Sequence, residues 1–292
     1  MTKINTILVG AQKSGTTSLY DWMNQHPEIN GHKGLKDYNF FAKDELYLNF
    51  GVDWFTKQFR KQNSKVILHG SVQYLYFKKA AKRIHDYNPD CKIILILRNP
   101  IDRAYSSYFD MKKTARTDFD DFKDALNFSE NLIKSGQEQH EEYFPQNILA
   151  HGYYSEQILH YRKIFNTNQI KIILFDDFVK DPLEVMKDLF VFLKVSSLFE
   201  PELIKRNDSG LPRSLKLQKL IQNIHLPKSI KKYISAGKIT QFRSYIIRNL
   251  NTKKVKHEPM SDSNRDFLRD YYNEEINRLE KLINRKLDHW KK

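Results

Sequence analysis

Residues 7–19 read Ile-Leu-Val-Gly-Ala-Gln-Lys-Ser-Gly-Thr-Thr-Ser-Leu. An apolar run passes straight into a glycine turn, and the turn opens a helix. Leu19, Trp22 and Met23 fall at i, i+3 and i+4, the spacing of one helical face. The helix is expected to stop near His26-Pro27, because proline lacks an N–H. A helix that opens on Thr16, Thr17 and Ser18 presents free N–H groups, and its dipole favours negative charge there. Gly15 lets the backbone approach an anion closely. Lys13 adds a point charge on a flexible stem. Ser14 completes the turn. A glycine turn that joins a strand to a helix and binds nothing is the plain alternative.

A nucleoside-triphosphate loop would read G-x-x-x-x-G-K-[ST]. Gly10 and Gly15 keep that two-glycine spacing, but Thr16 stands where the lysine belongs. The lysine lies three residues earlier, at Lys13. Its displacement points away from ATP chemistry and toward a different phosphate-bearing donor.

Four short apolar runs read as buried strands: Ile4–Val9, Lys65–Leu68, Lys92–Leu97 and Ile170–Phe175. They are rich in Ile, Leu and Val without alternation, as strands covered on both faces are. Helical patterns separate them. The fold class is therefore α/β, with a central parallel sheet and helices on both faces. Ligands in such sheets sit beyond the carboxyl ends of the strands. Residues 114–146 are polar and charged with no strand pattern, and are expected to form helix and loop over the site. A last helix is expected over about Asp262 to Trp290, as packing rather than chemistry.

The 292 residues suit one large or two modest domains and allow a good core. With Cys91 as the single cysteine, no internal disulfide is possible, which fits a reducing compartment. No apolar run is long enough for a membrane span. The first residues enter a core strand at once, leaving no room for a cleaved signal peptide. A cytoplasmic, prokaryotic location is expected, at most peripheral to the inner membrane face. Residues 205–257 carry 14 Lys or Arg and one acid, Asp208, a local excess of +13 against +14 for the whole chain. Interleaved aromatics and aliphatics make this stretch read as amphipathic helices with a basic face. Such a face suits an anionic substrate, polymer or headgroup, or is simply solvated. No nucleic-acid-binding motif is present, and nucleic acid is not the expected partner. No two histidines stand four apart and no cysteine pair exists, so no metal is expected.

Residues 92–109 supply a second anion element, Lys-Ile-Ile-Leu-Ile-Leu-Arg-Asn-Pro-Ile-Asp-Arg-Ala-Tyr-Ser-Ser-Tyr-Phe. A strand ends at Arg98, and Pro100 suits the first turn of a helix. Arg98 can fork onto a phosphate, and Ser106 lies in the helix that follows. A donor with phosphates at both ends of a nucleoside would use both elements.

On these motifs the chain resembles the sulfotransferases that use 3′-phosphoadenosine 5′-phosphosulfate (PAPS), and especially their carbohydrate branch, which includes heparan sulfate enzymes and many bacterial proteins. Lys13-Ser14-Gly15-Thr16-Thr17 resembles the family's 5′-phosphosulfate loop, K-[SG]-G-T-[TR]. Arg98 through Tyr108 matches R-[DN]-P-x-[DE]-R-x-x-S-x-[YF], which implies that Arg98 and Ser106 hold the 3′-phosphate. Residues 36–41 resemble K-E-x-x-F-F, residues 51–55 resemble G-x-x-W-[YF], and residues 178–182 resemble [FE]-x-x-x-D-P. Residues 206–213 resemble an N-x-S…P-R stretch, so Arg213 is a further candidate for the 3′-phosphate. The resemblance covers nearly the whole chain and implies a single P-loop-like sulfotransferase domain over 1–292, with no metal. The acceptor it implies is a carbohydrate or other small hydroxyl compound, or an amine. The basic segment favours an anionic polymer, a phosphorylated glycan or a lipid-linked sugar.

Sulfuryl transfer needs positioning and neutralisation of charge on the leaving phosphate. Lys13 is the candidate for the leaving oxygen. A base must take the acceptor's proton. The family has Glu in K-E-x-x-F-F, and this chain has Asp37, one methylene shorter. Asn39 and Ala42 stand where some relatives have His and Asp. His69, in Leu-His-Gly-Ser-Val-Gln-Tyr, is the second base candidate or else a packed histidine at a sheet end. Lys36 is a candidate substrate contact. A P-loop nucleoside or sugar kinase would need a lysine at position 16. A non-catalytic protein binding nucleotide or anionic polymer would keep Lys13 and Arg98 and tolerate a poor base.

Overall fold

The computed structural model describes residues 3–32, 34, 36–59, 64–204, 210–212, 214, 252–254 and 258–292. Five strands form one parallel sheet: β1 (Thr6–Gly10), β2 (Ile29–Gly31), β3 (Val66–Gly70), β4 (Lys92–Leu97) and β5 (Ile170–Leu174), in the order β2-β3-β1-β4-β5. Between them lie α1 (Thr16–Met23), α2 (Asp44–Lys57), α3 (Lys78–Tyr87), α4 (Pro100–Lys113), α5 (Phe122–Lys134) and α6 (Tyr154–Arg162), and β5 is followed by α7 (Phe175–Lys180) and α8 (Pro182–Leu193). Helix α9 (Asp262–Ile283) follows near the end of the chain.

The continuous apolar strands are explained by two cores, one on each face. In β1, Ile7 and Val9 enter the larger core while Leu8 enters the smaller. In β4, Ile93, Leu95 and Leu97 alternate in the same way with Ile94 and Ile96. Side chains alternate across a strand, so burying every position requires cover on both sides. The larger core takes the apolar stripes of α3, α4, α6 and α9, and the smaller takes α1 and α8. This is the α/β architecture that the sequence implies.

Helix α4 shows how local chemistry sets a boundary. Pro100 occupies the first turn, and the Asn99 side chain accepts from the Ile101 N–H at 3.0 Å. Such capping satisfies an N–H that the helix itself cannot. Strand β2 has no counterpart in the sequence reading, because three residues are too short to show a period. Its pairing to β3, Ile29 with Val66 through Gly31 with Leu68, defines it. Phe175, expected in the last strand, instead begins α7. The last helix ends at Ile283 rather than near Trp290. Asn284 caps it in the left-handed region, and a short turn over Asp288–Lys291 buries Trp290. Beyond the first sheet, the described residues pair Gly210–Pro212 antiparallel with Thr252–Lys254. Apart from Ser214, the rest of the basic segment, Arg213 included, lies outside the described residues.

The chain runs from β1 outward to β2 and β3, then crosses back to β4 and β5. The crossing makes a switch point between β1 and β4, and a crevice opens there at the carboxyl ends of the strands. The loop after β1 and the turn after β4 both empty into it.

Candidate active site

A cleft of about 830 Å³ occupies that switch point. Its size falls within the range of small-molecule sites. Lys13, Gly15, Thr16, Thr17, Ser18, Lys36, Asp37, Arg98 and Ser106 all line it. The sequence candidates from three separate segments therefore meet on one surface. Ser14 is buried beneath the loop.

The loop is shaped for close approach. Gly15 caps α1 at φ 85°, in the left-handed region. A Cβ there would lie 3.0 Å from the ring of Phe175, so both conformation and space call for glycine. Lys13 also has positive φ, 64°. Its Nζ lies 2.9 Å from Asp110 Oδ1. Arg98 leaves β4 with its guanidinium 5.1 Å from the centre of the Phe175 ring, and its Nη1 donates to the Lys13 carbonyl at 3.2 Å. Tyr154 OH donates to the Arg98 carbonyl at 2.9 Å and steadies the backbone from behind. On α4, Ser106, Asp110 and Thr114 stand at i, i+4 and i+8 and present one helical face to the cleft.

Asp37 enters from the loop between β2 and α2. Its backbone has φ 61°, and its N–H donates to the Gly70 carbonyl at 2.8 Å. The carboxylate accepts from Lys36 Nζ at 2.7 Å and from the Val72 N–H at 3.3 Å. The Lys36 side chain is 10% exposed against 46% for Asp37, so the lysine backs the acid while the acid faces the cleft. Asn39 accepts from Ser71 Oγ at 2.6 Å beside it.

His69 is not brought to the cleft. It is fully buried, with the rings of Phe55 and Phe59 centred 5.0 and 5.8 Å from its own. Its Nε2 lies 2.8 Å from Tyr74 OH, which is also 3.1 Å from the Tyr38 carbonyl. Burial pushes its pKa down to about 3, against a smaller opposing pull from Asp37. His69 thus has the surroundings of a packed histidine at the end of β3, and its ring does not line the cleft that holds Asp37.

The sequence reading missed several residues of the cleft wall, among them Gln12, Trp22, Asp110, Arg116, Phe175 and Phe178. Helical spacing from Ser106 would have found Asp110. No sequence pattern marks Gln12, whose Oε1 accepts from Ser107 Oγ at 3.2 Å and from the ring of buried His151 at 2.9 Å. Burial, helped by nearby Arg103, keeps His151 neutral, with its pKa well below the usual value. Those two donors hold the Gln12 carbonyl in place on the cleft wall. Among the described residues no cluster of three or more His, Cys, Asp or Glu side chains could hold a metal ion.

The loop after the central strand β1, a guanidinium at the end of the neighbouring strand β4 and the Asp37 carboxylate thus share one cleft of a parallel α/β sheet. The profile of the sulfotransferase domain matches residues 3–278, and the chain belongs to that family. It is 30% identical over 199 residues to bifunctional heparan sulfate N-deacetylase/N-sulfotransferase 4 of Mus musculus, covering 65% of this chain and 22% of that protein. It is 33% identical over 108 residues to the membrane-associated sulfotransferase kil1 of Dictyostelium discoideum, covering 36% of this chain and 22% of that one. The chain thus spans about a fifth of the length of the curated relatives it matches. The crystal structure of a sulfotransferase from Alicyclobacillus acidocaldarius matches it over the full length of both chains, with a TM-score of 0.73 and 26% identity.

Proposed function

We propose that this chain transfers the sulfuryl group of PAPS to a hydroxyl or amine of a carbohydrate acceptor, with Asp37 as base. One observation carries the reading: the 13–18 loop, the Arg98–Ser106 element and Asp37 line a single cleft. The loop N–H groups and the hydroxyls of Thr16, Thr17 and Ser18 suit the 5′ end of the donor. Arg98 and Ser106 suit its 3′-phosphate. PAPS supplies an electrophilic SO₃ group and a phosphate leaving group. Lys13 neutralises charge on the oxygen that leaves. Asp37, held by Lys36 and the Val72 N–H, takes the acceptor proton. Arg213 remains a candidate for the 3′-phosphate on sequence grounds alone.

The heparan sulfate relatives support a carbohydrate acceptor, and the basic 205–257 stretch supports an anionic or lipid-linked one. A segment of that charge would also attract an anionic membrane surface. The single cysteine, Cys91, is buried and forms no disulfide, in keeping with a cytoplasmic setting.

Calorimetric binding of 3′,5′-adenosine bisphosphate, 5′-AMP and Mg-ATP to the wild type and to Arg98→Ala tests the donor. Tight binding of the bisphosphate alone, lost in the variant, is the expected result. A preference for Mg-ATP, or indifference to the 3′-phosphate, overturns the reading.

A further inference from the structure

A cleft built to receive anions holds a carboxylate against its own lysine. Asp110 Oδ1 lies 2.9 Å from Lys13 Nζ, and the two side chains are 32% and 30% exposed. Both line the cleft, so the pair stands on the wall that a donor would touch. The partners are not equivalent. Asp110 is fixed by α4, one turn beyond Ser106, and has a short side chain. Lys13 sits on a loop and carries a long, flexible stem. A carboxylate in contact with an ammonium cancels most of its field, so the pair offers little net charge to an incoming anion. Full use of Lys13 on a donor oxygen requires the ammonium to leave the acid.

We propose that Asp110 is a positioning residue that holds Lys13 in reserve until the donor draws the ammonium off the acid and onto its own oxygen. The identity of that anion rests on the sulfotransferase reading, whereas the pair itself does not. Asp110 thereby sets a threshold for donor binding: the anion has to outbid an internal carboxylate for the same cation. No bond is made or broken in this exchange.

The test uses Asp110→Asn, which keeps the shape of the side chain on a partly exposed helix. The first readout is acetylation of Lys13 by an amine-reactive ester without ligand, followed residue by residue by mass spectrometry, with Lys36 as the internal reference. Release from the acid is expected to speed labelling of Lys13 about two- to fivefold, the range set by a partly exposed ion pair, and to leave Lys36 unchanged. The second readout is calorimetric binding of 3′,5′-adenosine bisphosphate, expected to tighten by a similar factor. Asp110→Ala is expected to move both readouts the same way, which guards against a defect peculiar to the amide. Unchanged labelling with tighter binding would reveal simple like-charge repulsion and overturn the proposal. Weakened or unchanged binding in a variant with faster labelling would overturn it too. If the wild type ignores the bisphosphate, the donor reading falls, and the labelling rate alone decides whether Asp110 holds Lys13.

Discussion

Arg98 Nη1 donates to the backbone carbonyl of Lys13 at 3.2 Å. The end of β4 is thus tied to the loop after β1, and the two anion elements are braced against each other rather than placed independently. Arg98→Ala removes this brace and, on the proposed reading, a charge-assisted contact to the 3′-phosphate as well. Hydrogen bonds to charged groups contribute about 1.5–3 kcal/mol, so affinity for 3′,5′-adenosine bisphosphate is expected to fall about 10- to 100-fold. Binding of 5′-AMP should fall less, since it reports the brace without the 3′-phosphate. Titration calorimetry on both ligands checks the difference, and equal losses would mean that Arg98 acts only on the loop.

Asp37→Asn keeps the size of the side chain and its contact with the Val72 N–H but cannot accept a proton. General bases contribute about 10²- to 10⁴-fold in rate. The turnover number is expected to fall within that range, while affinity for the bisphosphate stays within about a factor of two, because the loop and Arg98 are untouched. Sulfate transfer from labelled PAPS to a carbohydrate acceptor, measured beside calorimetry, checks the split. Full activity in the variant would remove Asp37 from the proton path.

The sheet and the loop were legible because strands buried on both faces leave unbroken apolar runs and helices with an apolar stripe leave a period in the chain. That Lys13, Arg98 and Ser106 share the cleft was foreseeable because the motifs that carry them follow the ends of β1 and β4. His69 shows where such reading stops. A histidine at a strand end has the same sequence signature whether its ring points to the cleft or to Phe55 and Phe59. The face is set by parallel register, Ile7 opposite His69, which no local pattern displays. Gln12 was missed for a related reason: its orientation depends on His151, 139 residues away. The ending of α9 at Asn284 was hidden because the apolar stripe continues through Leu287 and Trp290, which are buried after the chain has turned.

Gly15→Ala places a Cβ 3.0 Å from the Phe175 ring on a backbone at φ 85°. A left-handed conformation costs a non-glycine residue about 1–2 kcal/mol, and the contact adds to it. Thermal unfolding should come at a lower temperature, and bisphosphate affinity should fall as the loop shifts. Combining the change with Phe175→Leu relieves the contact but not the conformational cost, so part of the stability is expected to return. No recovery would place the whole penalty on the backbone.

His69 makes stability depend on pH. In the folded chain its pKa is pushed down to about 3 by burial, whereas an unfolded histidine titrates near 6.5. Above pH 6.5 both states are neutral and the group contributes nothing to the slope. As pH falls below 6.5 the unfolded chain gains a proton that the folded chain refuses, so stability drops, by up to about 1.4 kcal/mol per pH unit for each such group. The loss continues down to about pH 3. Buried His151, also held neutral, acts in the same direction. Denaturant unfolding at pH 7, 6 and 5 is expected to show this decline, and His69→Gln to show a shallower one from a lower starting point. Sulfotransfer by His69→Gln, measured where the variant is folded, is expected to stay within a few-fold of wild type. A loss of the size given for Asp37→Asn, with the fold intact, would return His69 to the chemistry.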